Sequence, residues 1–223
     1  MKILIGLGNP ESRYEKTRHN AGFRVIDRLA AMHNVDLRNE SKFRALFASA
    51  TIGGERTLLV KPLTYMNLSG ESVQSVLSYF KVESMSDMLV IHDDVSLPLG
   101  RIRAQKGGGA GGQHGVESIM RMLSGSKDFH RLKFGVGPDP GGQWRADFVL
   151  SQFEPEDVEL YEIVIGKSCD AALTWIRAGI QETMNHFNGV VFGLPKCMQE
   201  PPDESPPEPP SEPGPADEGP TKP

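Results

Sequence analysis

The chain has 223 residues, 38% of them hydrophobic, with 24 basic and 29 acidic side chains and two cysteines. That length and composition suit one domain with a sizeable core, while Cys169 and Cys197 alone exclude a disulfide framework and a four-ligand zinc site. No secretory segment opens the chain and no apolar run approaches the roughly 18 residues of a membrane span, so a protein of the cytoplasm with no membrane partner is expected.

Ile3, Leu4, Ile5 and Leu7 form a short apolar run that reads as a buried strand, ended by Gly6, Gly8 and the turn-forming pair Asn9-Pro10. Phe23, Ile26, Leu29 and Ala30 then recur at helical spacing, with Asn20 placed to cap the helix and His19 at its positive end, where the dipole favours neutral imidazole. Two strand-like runs, Ala45 to Thr51 and Thr57 to Lys61, are joined by Gly53-Gly54 and closed by Pro62. Asn67 and Ser69 are candidate caps for a helix with Val73, Val76, Leu77 and Phe80 on one face. The apolar run Met88 to Ile91 ends in His92-Asp93-Asp94, which puts acids at the C-terminal end of a strand, where ligands of open α/β sheets collect.

Arg101 to Ala104 alternates polar and apolar, as a half-buried strand does. A glycine block at 107–115 follows, then a short helix carrying Val116, Ile119, Met120 and Leu123. Leu132, Phe134 and Val136 form one face of another strand, with Arg131 and Lys133 on the other. Pro138 to Gly142 reads as a loop. Pro155 opens the longest helix, which runs to about Ala178 before Gly179, and a short polar helix from Gln181 to Phe187 closes the fold. The expected architecture is a single α/β domain over residues 1–190, a mixed twisted sheet flanked by helices, without internal repeats. From Pro195 the chain holds 11 of its 17 prolines and seven acidic residues against two lysines. It cannot bury enough apolar surface to offset its ordering entropy, so residues 195–223 are expected to be a disordered acidic, proline-rich tail.

Without that tail the body is neutral, but its charge is uneven. Between residues 95 and 146, Arg101, Arg103, Lys106, Arg121, Lys127, Arg131, Lys133 and Arg145 face three acids. Beside a glycine loop this reads as a phosphate-binding surface; a solvated face of scattered charge is the plainer alternative. Several motif fragments lead nowhere: Glu11 replaces the third glycine of a dinucleotide fingerprint, Gly166-Lys167-Ser168 lacks the first glycine of a P-loop, and no Gly-x-Ser-x-Gly elbow exists. If His19, Asp93, Asn9 and Asn67 converge, a carboxylate-steadied imidazole can deprotonate a water, and the amides can orient an ester. Each has a plainer role as well: helix entry for His19, a strand-to-loop turn for Asp93, turn chemistry for Asn9.

GLGNP at 6–10, TRHNAGF at 17–23, YMNLSG at 65–70, HDDVSLPLG at 92–100, GGGAGGQHG at 107–115 and FHRLKFGVG at 129–137 stand in one order. Over roughly residues 1 to 190 the chain resembles the bacterial-type peptidyl-tRNA hydrolases. The resemblance implies an enzyme that cleaves the ester between a peptide and the 3′-terminal ribose of tRNA, recycling tRNA from abandoned translation as a monomer without metal or cofactor. It implies His19 as the base, Asp93 as its partner, and Asn9 as a discriminator of blocked from free aminoacyl groups. Tyr14, Tyr65, Met66 and Asn67 would line the channel for peptide and 3′ end, with Arg103, Lys106, Arg131 and Lys133 at phosphates. The chain departs from the family pattern at Glu11, where glycine is usual, at Gln105, where some relatives carry lysine, and at His114, where an asparagine clamp is usual. An RNA-binding relative without hydrolysis, and a phosphorylase or peptidase of similar architecture, are the competing readings. Turnover on peptidyl-tRNA separates the hydrolase from the first, and the second predicts activity independent of tRNA.

Overall fold

The computed structural model describes residues 1–193; the acidic tail expected at 195–223 lies outside them. Seven strands form one sheet: β1 (Lys2–Gly6), β2 (Arg38–Glu40), β3 (Ala45–Ile52), β4 (Glu55–Pro62), β5 (Met88–Pro98), β6 (Ile102–Lys106) and β7 (His130–Gly137). Their order is β2-β3-β4-β1-β5-β7-β6. The four central strands β4, β1, β5 and β7 run parallel, and the antiparallel strands β3 and β6 flank them. This is the mixed sheet expected from sequence. The helices are α1 (Ala21–Met32), α2 (Ser69–Tyr79), α3 (His114–Met122), α4 (Arg145–Val149) and α5 (Val158–Phe187).

The parallel strands are apolar on both faces because helices cover both. On one face Leu4, Leu59, Leu89, Ile91, Leu132 and Phe134 pack against Val25, Ile26 and Leu29 of α1 and Val164, Ile165 and Trp175 of α5. On the other, Ile3, Ile5, Val60 and Val90 meet Val73, Val76 and Leu77 of α2 and Val116 and Ile119 of α3. The helices after β1 and β4 therefore lie on opposite faces, which makes the C-terminal end of β1 a switch point and leaves a crevice there.

How tightly α1 meets β1 is set by two glycines. A Cβ on Gly6 would stand 2.2 Å from the Gly22 carbonyl oxygen, and one on Gly22 would stand 2.3 Å from the Ile91 oxygen. With no side chain at either position, Leu7 N–H reaches Ile91 O at 2.9 Å and Phe23 N–H reaches Leu7 O at 3.2 Å. The start of α1 is thereby pressed onto the ends of β1 and β5, and the 3₁₀ turn before it (Arg18–Asn20) is held over the crevice.

Several local expectations need correction. Asn20 does not cap α1 with its side chain; its Oδ1 accepts from Asn9 N at 2.8 Å and its Nδ2 donates to Asn9 O at 3.0 Å. Tethering the β1 loop has displaced capping. Neither Asn67 nor Ser69 caps α2, because Met66–Leu68 forms a 3₁₀ turn that runs straight into it. The strand expected from Arg101 begins at Ile102, and α4 lies beyond the expected loop at 138–142, in a stretch without clear periodicity. The two C-terminal helices join into α5, broken at Gly179 with φ 83°, which is where the sequence divides them.

Gly22→Ala is expected to lower stability by about 1–3 kcal/mol through overpacking and to lower kcat, because the turn carrying His19 must shift. Gly166→Ala, in α5 with no atom within 4 Å of its added Cβ, is the control and should be neutral or stabilising. Urea midpoints and turnover of the two variants check this; equal behaviour would contradict it.

Candidate active site

Three parallel strands deliver the site from their C-terminal ends. β1 leads to Asn9 and to the turn with His19, β4 to Tyr65, Met66 and Asn67, and β5 ends its buried stretch in His92 and Asp93. Together with the glycine loop 110–112, Gln113 and one side of α4, they line an open cavity of about 890 Å³.

His19 Nδ1 lies 2.8 Å from Asp93 Oδ2, and both side chains are buried. Burial disfavours the imidazolium, but the Asp93 charge and hydrogen bond outweigh it, so the His19 pKa is raised above its ordinary value. This corrects the expectation that a helix dipole keeps the ring neutral; a full negative charge in contact exceeds the partial charge of a helix end. Burial likewise disfavours the Asp93 carboxylate, yet His19 and a hydrogen bond from Gln113 hold its pKa below the usual range. With Nδ1 on the carboxylate, Nε2 is the ring nitrogen left for the cavity.

Gln113 is the residue that sequence reading missed. Its Nε2 donates to Asp93 Oδ1 at 3.0 Å, while its Oε1 accepts from Gly115 N at 2.6 Å and Val116 N at 3.0 Å. One amide thus caps α3 and occupies the second carboxylate oxygen of Asp93. The signal available was a polar residue just before the apolar pattern of α3. His92 was also passed over. Its Nδ1 donates to Asp93 O at 2.7 Å, its Nε2 has no partner among the described residues, and complete burial pushes its pKa down to about 4.

Asn9 is buried, and its Oδ1 accepts from Met66 N at 3.0 Å, which leaves its Nδ2 as a donor beside the cavity. Tyr65 and Asn67 line the cavity from its exposed rim, and Met66 lines it from a buried position. Tyr65 donates to Glu11, the unusual acid of the first loop, and Arg13 pairs with the same carboxylate at 2.9 Å. Tyr14 is not among the cavity-lining residues and stacks under Arg13 instead. His114 stands at the rim, largely exposed, 3.2 Å from Glu117.

The basic residues divide. Arg103 and Lys106 are exposed on β6, and Lys106 borders a separate groove of about 740 Å³ with Gly107, Gly108 and Lys127. Lys133 is bonded to Asp94 at 2.9 Å. Arg131, expected at a phosphate, is fully buried: its guanidinium donates to the carbonyls of Gly108 and Gly109 and lies over Phe129. It holds the glycine loop in place. The expectation failed because alternation put Arg131 on the opposite face from the core residue Leu132, and the loop folds over that face. Among the described residues, no three His, Cys, Asp or Glu side chains gather as a metal site.

Among the described residues no serine or cysteine bonds to the His19 ring, so fold and site define an α/β protein whose histidine–aspartate pair faces an open cavity without an attached side-chain nucleophile. The chain belongs to the peptidyl-tRNA hydrolase family, whose model, described as Peptidyl-tRNA hydrolase, matches residues 3–195. A peptidyl-tRNA hydrolase of Agathobacter rectalis is 47% identical over 188 residues, 84% of this chain and 100% of the relative. One from Geobacillus kaustophilus is 44% identical with the same coverage. The crystal structure of an Arg119Gln mutant of the Acinetobacter baumannii peptidyl-tRNA hydrolase superposes with a TM-score of 0.81 at 31% identity, covering 86% of this chain and 96% of that one.

The buried, neutral His92 sets a pH dependence. Its folded pKa of about 4 lies below that of an unfolded histidine, about 6.5. As pH falls between those values only the unfolded chain takes the proton, so stability is lost by roughly 3 kcal/mol at most. Unfolding midpoints in urea should drop from pH 7 to pH 4.5 in the wild type and less steeply in His92→Gln. Parallel profiles would contradict the assignment.

Proposed function

We propose that this protein hydrolyses the ester of peptidyl-tRNA with His19 as general base. His19 Nε2 takes a proton from a water, whose oxygen bonds to the ester carbonyl carbon. The bond from that carbon to the 3′-terminal ribose oxygen breaks, and the imidazolium returns its proton to the departing oxygen. The products are a peptide carboxylate, whose second water-derived proton is lost to solvent, and a tRNA with a free ribose hydroxyl. The observation that carries the reading is the 2.8 Å contact between His19 Nδ1 and Asp93 Oδ2 at the floor of an open cavity.

Asp93 acts by stabilising the imidazolium formed on proton abstraction and by fixing the tautomer that leaves Nε2 free to accept. Because both of its oxygens are engaged, it neither rotates nor competes for the water. Raising the His19 pKa makes the ring a stronger base, at the expense of the fraction that is neutral near pH 7. Asn9 Nδ2 and the Asn67 amide carry no charge to titrate, which suits them to binding the carbonyl of the scissile ester and the first amide of the peptide. An amino acid bearing a free cationic amine lacks that blocked amide, and Asn9 is our discriminator against it. The apolar wall of Met66, Leu68, Val95, Ala146 and Val149 suits a peptide of varied side chains. The exposed cations Arg103 and Lys106 suit phosphates of the acceptor region. Such a reaction serves translation in the cytoplasm, and one copy of the chain holds every group it uses, so we read it as monomeric.

His19→Ala should lower kcat by about 10²–10⁴-fold while tRNA affinity is unchanged. In the wild type the acid limb of the kcat profile should fall above the ordinary histidine pKa, since His19 must be neutral and its pKa is raised. Asp93→Asn removes the charge that raises it, so burial prevails and the limb should move to lower pH as the maximal rate falls. A limb that stays in place, or a His19→Ala enzyme of near-normal rate, would refute the roles.

A further inference from the structure

The chain has two tryptophans, and they are opposites. Trp175 is fully buried in α5, donating to His130 Nδ1 at 2.8 Å. Trp144 is 60% exposed, and among the described residues no ring or cation stacks on it. An indole left more than half exposed keeps a large apolar face open beside the cavity, and that face suits a planar ligand.

The place of Trp144 is well defined. It ends the 3₁₀ turn Gly142–Trp144, and its neighbours Gln143 and Arg145 both line the catalytic cavity. The turn is fastened from two sides. Arg145 Nε bonds to Asp139 at 2.8 Å, and Gly141 N bonds to the same carboxylate at 2.9 Å. Behind it, Arg18 lies 4.4 Å from the Phe148 ring centroid and 4.7 Å from that of Phe153, and donates to Ser151 Oγ at 2.6 Å. Arg18 directly precedes His19, so α4, which follows the turn bearing Trp144, is tied to the turn bearing the base.

We propose that Trp144 is a stacking platform for an unpaired nucleobase of the tRNA acceptor end. This rests on the peptidyl-tRNA reading above and names a binding group outside the residues that the motifs single out. Two features favour a base over a peptide side chain. The peptide has its own wall, apolar and inside the cavity, whereas Trp144 stands outside among that cavity's rim residues. The ring is also followed directly by Arg145, whose guanidinium is held by the Asp139 carboxylate at the cavity wall. A solvent-facing aromatic is how proteins hold an unpaired base, because every base has a π-face.

Stacking on one aromatic contributes about 1–3 kcal/mol per base, so Trp144→Ala should raise KM for peptidyl-tRNA by about 5- to 150-fold while kcat stays near wild type, and Trp144→Phe should retain most of the affinity. Trp175 in the core also fluoresces, so the signal of Trp144 is read as the difference between the wild type and Trp144→Phe, which keeps Trp175 alone. Titration with the trinucleotide CCA should quench it saturably, and a blocked peptide amide should not. If the wild type turns over peptidyl-tRNA but CCA causes no quenching and Trp144→Ala keeps its KM, the platform is wrong and the activity stands. Quenching by the blocked peptide alone would overturn the platform in favour of a peptide contact. A wild type that binds CCA through Trp144 yet releases no peptide would instead overturn the hydrolytic reading.

Discussion

The contact between His19 and Asp93 joins residues 74 positions apart, and the rest of the site is built around keeping it buried. A carboxylate enclosed at the end of β5 is unfavourable unless its charge is met, and removing one partner from such a pair is far more damaging than the pair is stabilising. Asp93 is met twice, by the imidazole and by Gln113, so neither oxygen is stranded. The imidazole in turn depends on how closely the 3₁₀ turn approaches the strand, and that approach is permitted by the bare backbones of Gly6 and Gly22. A loss of either glycine is therefore a loss at the site, although neither residue touches the cavity.

The fold places this pair at the one edge where helices leave the sheet on opposite faces. The segments of Asn9 and His19, of Tyr65 to Asn67 and of Asp93 lie at the C-terminal ends of parallel strands. The glycine loop and Gln113 follow the antiparallel β6, and side chains acting on backbone tie all of these together. Asn20 holds the Asn9 loop, Asn9 holds Met66, Gln113 holds the start of α3, and Arg131 holds the glycine loop. These are interior hydrogen bonds with little water to compete, so they position the walls of the cavity more firmly than loop backbone alone would. Arg18 extends the same lattice to the α4 wall.

Much of this was legible in the sequence because it follows from periodicity. The apolar runs at Ile3–Leu7 and Met88–Ile91, the alternation at Leu132–Val136 and the helical spacing after His19 gave the sheet and its helices, and ordered motifs gave the pairing of His19 with Asp93. What periodicity cannot carry is the direction in which a polar side chain turns once the chain folds. Asn20 and Arg131 were assigned to a cap and to a phosphate by their type, but both turn inward to backbone groups that only the tertiary structure brings near. Gln113 was overlooked for the same reason: its two tasks, capping and holding Asp93, meet only when α3 packs beside β5. The short β2 and α4 carry too few apolar residues to show a period at all.

The state of the His19 ring is the most direct test of the account. ¹⁵N NMR of histidine-labelled protein, titrated through neutral pH and assigned with His19→Ala, should show the His19 ring protonated at Nδ1 in its neutral form, with a pKa above the ordinary histidine value that falls on Asp93→Asn. A His19 resonance with Nδ1 unprotonated in the neutral form, or with a pKa unmoved by loss of the Asp93 charge, would contradict it.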